Sequence, residues 1–378
     1  MLCPTRNLLL ETLGTPAAAS EALRAAVAAA DLTTFADLAH QHAVAPAVAD
    51  ALHFHAADLP DDWAAWAEEV VFETTARNGW LLHHLTRVAT TLHDAGVRFF
   101  ALKGCDLLLT TYPRIGARHL DDIDLLVHPD DVSAASDALL IGGYPLQEAG
   151  NEIPFVDGGS YAAYVASQAG EKIHPAVHES PDGLSIELHR MLPLSRDPAA
   201  HFERLWANRV TRHRDGVEIP LLPRPDLVEH LCVHAFVQHH GDWRVLARHT
   251  ADMLRLRDAE AFATAPTHPD ARTAYRLTAA LLALHAADAP AAKASLQRIL
   301  FPGPSLRRVW DQTIFQRLLA RRVTHDLRHQ PDMLLRKLLP SDDYLAYHYG
   351  EEAVAAGRKR LLAKRLLLLP FRPFTGAR

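Results

Sequence analysis

The hydrophobic positions along this chain change their spacing twice. Apolar side chains first recur every three or four positions, the period of a helix that buries one face, in residues 17–30, 34–52 and 63–95. Short apolar runs and alternating runs, which are typical of β-strands, then occupy much of residues 97–192. Helical spacing returns from about residue 198. The pattern predicts three regions, a helical one, a mixed one and a mainly helical one, at residues 1–95, 96–195 and 196–378.

The middle region is predicted to contain a small sheet. Strands are indicated at residues 97–102 and 123–127, and a helix follows at 130–141, where Gly142 and Gly143 would end it. A turn sequence, Ser-Pro-Asp-Gly at 180–183, lies between two further strand-like runs at 172–178 and 184–189. The predicted fold class is therefore α+β, with a small mixed β-sheet core flanked by N- and C-terminal helical regions.

The third region is predicted to be mostly helical, with one interruption. Asp215-Gly216 is a hairpin signal inside residues 209–222. The helical pattern is found at residues 202–208, 226–239, 243–258, 271–287 and 291–301, and further helices are expected up to about residue 364.

Composition and charge narrow the class of protein. The net charge of −6 gives no strong signal for nucleic-acid binding, and no apolar run reaches the ~18–20 residues of a membrane span. Three widely separated cysteines argue against a disulfide framework and indicate a reducing, cytoplasmic setting. The basic and apolar segment 358–372 is typical of a final packed helix, and a weak contact with a membrane surface or an acidic partner is the alternative.

Acidic residues occupy one face of two of the predicted strands. Asp122 and Asp124 are two positions apart, so their side chains point to the same side. Glu187 joins them if the strand of residues 184–189 lies alongside, and His189 then shares that face. Three such carboxylates are able to hold two divalent cations. The plainer alternative is that the two aspartates only block edge pairing and that Glu187 is an exposed strand residue.

The order of motifs resembles one nucleotidyltransferase family. Lys103-Gly104 ends the first strand, Tyr112 and Arg118 follow, and the second strand has the sequence DIDLLV. A Gly-Tyr pair comes after the next helix, and ELH at residues 187–189 completes the pattern. Together they resemble a family of uncharacterised nucleotidyltransferases within the DNA polymerase β-like nucleotidyltransferase superfamily, over roughly residues 65–260. The later positions of His234, Trp243 and Asp252 are similar to that family's helical signature.

The resemblance implies a metal-dependent transferase. It implies that Asp122, Asp124 and Glu187 are catalytic ligands of Mg²⁺ or Mn²⁺, and that an NTP such as ATP is the co-substrate. It also places five residues on the nucleotide side: Lys103, Gly104, Cys105, Arg118 and His189. The superfamily usually has Ser or Gly where this chain has Cys105, and Arg190 stands where the family has an aromatic residue.

The expected activity is transfer of an NMP group from the NTP to a hydroxyl-type acceptor, such as a small molecule, peptide or sugar, with release of pyrophosphate, as part of a biosynthetic route. The alternatives are a toxin-type nucleotidyltransferase that acts on tRNA or protein, and a non-catalytic nucleotide-binding or scaffold module of the same fold.

Histidines are frequent in the third region. His230 and His234 are four residues apart on a predicted helix, a spacing that suits zinc. However, no cysteine or acidic residue is spaced to complete a tetrahedral set, so the sequence argues against a zinc site.

Overall fold

The computed structural model describes residues 3–14, 21–146, 176–256, 262, 265–307 and 357–358. In the first region the helices are α1 (Pro4–Thr12), α2 (Glu21–Ala28), α3 (Leu32–Gln41), α4 (Ala45–His53) and α5 (Asp61–Asp94). The single helix predicted over 34–52 is wrong, because two helices occupy it. The break is at Ala43, whose φ of +54° is left-handed, and Pro46 lies in the first turn of α4.

The mixed region confirms the predicted alternation of strands and helices. Its elements are β1 (Phe99–Ala101), α6 (Lys103–Thr110), β2 (Asp122–Val127), α7 (Val132–Ile141), β3 (Ala176–Glu179) and β4 (Ser185–His189). Helix α7 ends at Gly142 and Gly143 as predicted, and Gly143 has a φ of +87°. Of the strand predicted at 172–178, the first part lies outside the described residues. Helix α6 was not predicted, since its eight residues are too few to show a period.

The sheet also contains strands that lie outside the middle region. After α8 (Pro198–Ala207) the chain forms the predicted hairpin of β5 (Val210–Arg214) and β6 (Val217–Leu221). In the described part of the chain, six strands form one sheet in the order β3-β4-β2-β1-β6-β5. The pairs β2–β4 and β1–β6 are parallel and β1–β2 is antiparallel, so the sheet is mixed. A hairpin from the third region thus completes the sheet of the second.

The third region continues with helices α9 (Arg224–Val233), α10 (Trp243–Leu256), α11 (Pro269–Ala286) and α12 (Pro290–Leu300). A π-helical segment, His234–Gln238, follows α9 directly, where the sequence predicted a continuous helix. The basic segment predicted at 358–372 and the helices expected up to residue 364 lie almost entirely outside the described residues. No described helix combines the length and the apolar character needed to cross a membrane.

Two hydrophobic cores hold these elements together. One surrounds the sheet and includes Phe99, Phe100 and Ile123, together with Leu85 and Leu92 from α5. The other is made by helices from both ends of the chain, and its buried residues run from Leu8, Leu9 and Leu52 to Leu246, Leu296 and Phe301. Helix α5, 34 residues long, contributes to both cores, so it links the helical layer to the sheet.

Candidate active site

The predicted carboxylate face exists, and strand pairing brings it together. Strands β2 and β4 are parallel, and their register places Asp124 directly beside Glu187. Since side chains alternate along a strand, Asp122 lies on the same face as Asp124, and His189 on the same face as Glu187. The opposite face is apolar and fully buried at Ile123, Leu125, Ile186 and Leu188. That apolar face packs into the core and thereby fixes which way the acids point.

Asp124 is the centre of the cluster. Its Oδ1 accepts hydrogen bonds from Lys103 Nζ at 2.7 Å and from His189 Nε2 at 2.7 Å. His189 Nε2 also lies 3.4 Å from Glu187 Oε2. One ligand atom from each of Asp124, Glu187 and His189 lies within 4.8 Å of the others, so these three side chains could hold a metal ion. His189 is thus closer to the acids than the sequence alone established.

The charges in this cluster are strongly coupled. Burial raises the pKa of Asp122 to about 6, and the charge of Asp124 adds to the effect. Burial alone would also raise the pKa of Asp124, but the His189 hydrogen bond and the Lys103 charge outweigh it and hold that pKa well below its usual range. Burial would lower the pKa of His189, yet its hydrogen bond to Asp124 prevails and raises it. The face therefore combines an anionic centre with cationic neighbours, an arrangement concentrated at functional sites.

Lys103 is held in an unusual backbone conformation. Its φ is +48°, in the left-handed region that costs a side-chain-bearing residue of order 1–3 kcal/mol. The neighbouring backbone is fixed, because Leu102 N donates to Asp124 O at 2.9 Å, while the Lys103 ammonium bonds the same residue's side chain. Strain of this kind persists where the surroundings demand one orientation. Here that orientation places the Lys103 ammonium against the Asp124 carboxylate.

Gly104 and Cys105 follow in the first turn of α6, and both are buried. A Cβ at Gly104 would collide with Leu120 Cδ1 and with Arg118 Nη1. In this structure the glycine therefore makes room for a protein side chain, and its predicted contact with phosphate stays a prediction. Burial raises the pKa of the Cys105 thiol, so this cysteine is a protonated core residue.

Arg118 lies beneath the site in a buried ion pair. Its Nε donates to Asp252 Oδ1 at 2.9 Å and its Nη2 donates to Asp252 Oδ2 at 3.0 Å. Tyr112 OH donates to the same carboxylate at 2.6 Å. Asp252 thus balances the positive charge of Arg118, and the phosphate contact predicted for this arginine stays a prediction. The sequence resemblance placed Tyr112 and Arg118 in one motif and Asp252 in a separate helical signature, and the structure joins the three side chains in one buried cluster.

Sequence reasoning missed a second arginine. Arg248 on α10 is partly exposed, and its Nη1 lies 3.7 Å from Asp121 Oδ2, a loose contact. Burial lowers the Arg248 pKa, and the nearby charge of Arg118 adds to that effect, whereas Asp121 and Asp122 act in the other direction. Arg248 precedes Asp252 by one helical turn, so the two share a helix face. The four-residue spacing of Arg248 and Asp252 was the available sequence signal for this arginine. Using that signal requires knowing which surface α10 packs against.

One known protein family matches most of the chain. The sequence model of a family described as "uncharacterised nucleotidyltransferase" matches residues 28–290. This range includes β1 to β6 and every side chain of the carboxylate cluster. No curated protein matches the chain.

Proposed function

The chain belongs to this family of uncharacterised nucleotidyltransferases, and from that premise we propose that it transfers an NMP group from an NTP to a hydroxyl-type acceptor. The new bond joins the acceptor oxygen to the α-phosphorus, the bond from that phosphorus to the β-phosphate oxygen breaks, and pyrophosphate leaves. The observation that carries the proposal is the register of β2 and β4, which sets Asp122, Asp124 and Glu187 on one face above a buried apolar layer.

Asp122, Asp124 and Glu187 would hold Mg²⁺ or Mn²⁺. The donor set fits, because carboxylate oxygens are what these ions prefer, and Asp124, Glu187 and His189 already converge. A bound divalent ion would neutralise charge on the transferring phosphoryl group. Burial and the charge of Asp124 disfavour the ionised form of Asp122, and a bound cation would offset that cost.

The remaining residues take roles that their positions support. Glu187 is partly exposed and lies beside Asp124, so it would accept the proton of the acceptor hydroxyl. His189, bonded to Asp124 and close to Glu187, would keep the two carboxylates in place. Lys103 and Arg248 are cations on either side of the acids and would contact the phosphates. Arg118 would act as a positioning residue, through its contact with Asp252.

Nucleotide binding tests the proposal most directly. Titration calorimetry with each of ATP, GTP, CTP and UTP in the presence of Mg²⁺ should show binding that EDTA abolishes. Asp124→Asn keeps the side-chain volume and removes the charge, so we expect it to lose metal-dependent binding. Asp94→Asn is the matched control, since Asp94 is an exposed residue at the end of α5 and should bind like the wild type.

Product formation separates an enzyme from a binding module. Wild-type protein incubated with an α-³²P-labelled NTP, Mg²⁺ and candidate acceptors should release pyrophosphate and label an acceptor, and Asp124→Asn should reduce the rate by at least a hundredfold, on the order of 10²–10⁴. Labelled tRNA or protein in the same screen would identify the toxin-type alternative. A wild type that does not bind any NTP in a metal-dependent way contradicts the proposal.

A further inference from the structure

Two donors meet on one oxygen of Asp124. Lys103 Nζ and His189 Nε2 both lie 2.7 Å from Oδ1, and the Asp124 side chain is only 4% exposed. An ionised carboxyl group has about four lone-pair positions on its two oxygens, so two donors occupy the positions of Oδ1. A divalent cation can coordinate this oxygen only where one of the two donors gives way.

The two donors differ in how readily they can move. His189 lies on β4, and the pairing of that strand with β2 sets it opposite Leu126. Its Nε2 is also 3.4 Å from Glu187 Oε2, and the ring could itself be a metal ligand. Lys103 lies at the start of α6, and its ammonium stands at the end of a flexible four-carbon stem. Lys103 is therefore the donor that would give way.

A lysine displaced from Asp124 has a second partner available at a nucleotide site. Its ammonium carries three protons, and among the described residues its one hydrogen-bond acceptor is Asp124 Oδ1. The Lys103 side chain is 17% exposed, so it is not closed off from solvent as the Asp124 side chain is. Phosphate oxygens accept strong charge-assisted hydrogen bonds from lysine. A triphosphate that enters with the cation would therefore take over this ammonium.

We propose that Lys103 competes with the divalent cation for Asp124 Oδ1, so that the site selects a cation–polyphosphate complex over the cation alone. This inference rests on the proposed function. With the cation alone, the displaced ammonium would stay in a partly buried position without an anionic partner, which costs free energy. With a metal–NTP complex, the triphosphate becomes that partner. Lys103 is therefore a specificity residue for the metal-bound form of the NTP.

Titration with Mn²⁺ in the absence of nucleotide tests the competition, with free Mn²⁺ measured by its EPR signal. Lys103→Met keeps most of the stem and removes the ammonium. The variant should bind Mn²⁺ alone about tenfold more tightly than the wild type, the effect of removing one competing hydrogen bond between charged groups. Lys103→Gly should give the same result. It should also fold readily, because the φ of +48° at this position favours glycine.

The affinity for the metal–nucleotide complex should change in the opposite direction. The Kd of Mg–NTP, measured by calorimetry with the NTP that the wild type binds most tightly, should rise about tenfold in both Lys103 variants, since the triphosphate has lost a charged donor. One substitution thus strengthens the binding of the cation alone and weakens the binding of its nucleotide complex. A lysine that only supports the fold would instead lower the Tm and weaken both.

Arg248→Met is the matched control for charge. Arg248 is also a cation near the acids, but its contact is with Asp121 Oδ2 at 3.7 Å and not with Asp124. Its removal should therefore change the Kd for Mn²⁺ alone by less than about threefold, because a charge without direct contact is weakened by the surrounding solvent.

Three results would overturn the competition. The first is a Kd for Mn²⁺ alone that is unchanged or weaker in both Lys103 variants, as expected for a cation that binds Asp124 through Oδ2. The second is an equal gain in Mn²⁺ affinity in Arg248→Met, which would show that only net charge matters. The third is an unchanged Mg–NTP Kd in the Lys103 variants. A wild type that does not bind Mg–NTP is a different result: it contradicts the proposed function, while the Mn²⁺ titrations still decide whether Lys103 competes.

Discussion

Arg118 and Asp252 carry opposite charges in the interior, more than 130 residues apart in sequence. Both side chains are less than 10% exposed, and each is the other's main charge partner. Burial would lower the pKa of Arg118, but the charge of Asp252 more than compensates; burial would raise the pKa of Asp252, but Arg118 outweighs it. Burying such a pair costs desolvation free energy. Removing one partner costs far more stability, because the other charge then stays buried without a partner.

Breaking this pair from either side should therefore destabilise the fold. We expect Arg118→Met and Asp252→Leu each to lower the free energy of unfolding by about 3–5 kcal/mol, measured by urea denaturation. The double variant should be much more stable than the sum of the two losses implies, since neither charge is then left alone. Strictly additive losses would show that the two side chains do not depend on each other.

At the residue scale, the sequence was sufficient wherever strand parity decides the direction of a side chain. Spacing placed Asp122 with Asp124 and Glu187 with His189, and it predicted one common face if the two strands lie side by side. The parallel register of β2 with β4 confirms that condition. Residues contributed by later helices were not foreseeable in that way. Arg248 lies near Asp121 only because the fold brings α10 close to the start of β2, and helix packing depends on tertiary contacts rather than on local period.

At the element scale, the loop between α6 and β2 depends on helix α5. Asn78 of α5 is fully buried, and its Nδ2 donates to the carbonyl oxygens of Ile115 and Arg118, the latter at 2.6 Å. Gly116 packs against the same helix, where a Cβ would lie 2.8 Å from Val71 O and would also meet Thr75 Oγ1. The Asn78 amide therefore holds the loop that carries Arg118 by hydrogen bonds, and the absence of a side chain at Gly116 lets that loop lie close to α5.

A methyl group at Gly116 should push this loop off the helix. Gly116→Ala is expected to cost about 1–3 kcal/mol in the free energy of unfolding, since the helix backbone cannot move aside. Gly79→Ala is the matched control: Gly79 lies inside α5, an added Cβ would meet only Ile115 Cδ1 at 4.0 Å, and alanine favours a helix by up to about 1 kcal/mol. Chemical denaturation of both variants provides the comparison, and an equal response would contradict the docking.

The elements were predictable where they are long or marked by turns. Helix α5, the β5–β6 hairpin at Asp215-Gly216 and the stop of α7 at Gly142 all follow from sequence signals that physical chemistry explains. Two features lacked such a signal. The left-handed Ala43 between α3 and α4 has no local sequence signature, although Pro46 in the first turn of α4 was an available signal for a helix start. The π-segment after α9 has no such signal.

At the scale of the whole molecule, His42 joins the two ends of the helical layer. This residue at the end of α3 is fully buried, and its ring packs edge-on against Trp243 at 5.2 Å and Phe301 at 4.9 Å between centroids. Its Nδ1 is 3.3 Å from Trp243 O. Burial, and then the charge of Arg307, lowers the His42 pKa from 6.5 to about 4. Protonation of this ring therefore favours the unfolded chain.

Stability should fall as the solution is acidified. The His42 contribution is complete above pH 6.5, where the ring is neutral in both states, and is lost progressively as the pH falls to about 4, a change of about 3 kcal/mol. His42→Phe keeps the ring packing and removes the titration. Urea denaturation between pH 4 and 7.5 should therefore show a shallower decline in the variant. Parallel curves for the two proteins would show that His42 does not contribute.

The hydrogen bond from Cys3 N to Gln297 Oε1 spans 294 residues and closes the core that the first and last described helices share. During synthesis at about 5–20 residues per second, the apolar face of α1 emerges about 15–60 s before its partner α12 exists. The nascent chain must therefore carry an unburied leucine-rich surface for most of its translation. Expression yield should depend on chaperone supply and on elongation rate more steeply than the stability of the finished fold implies.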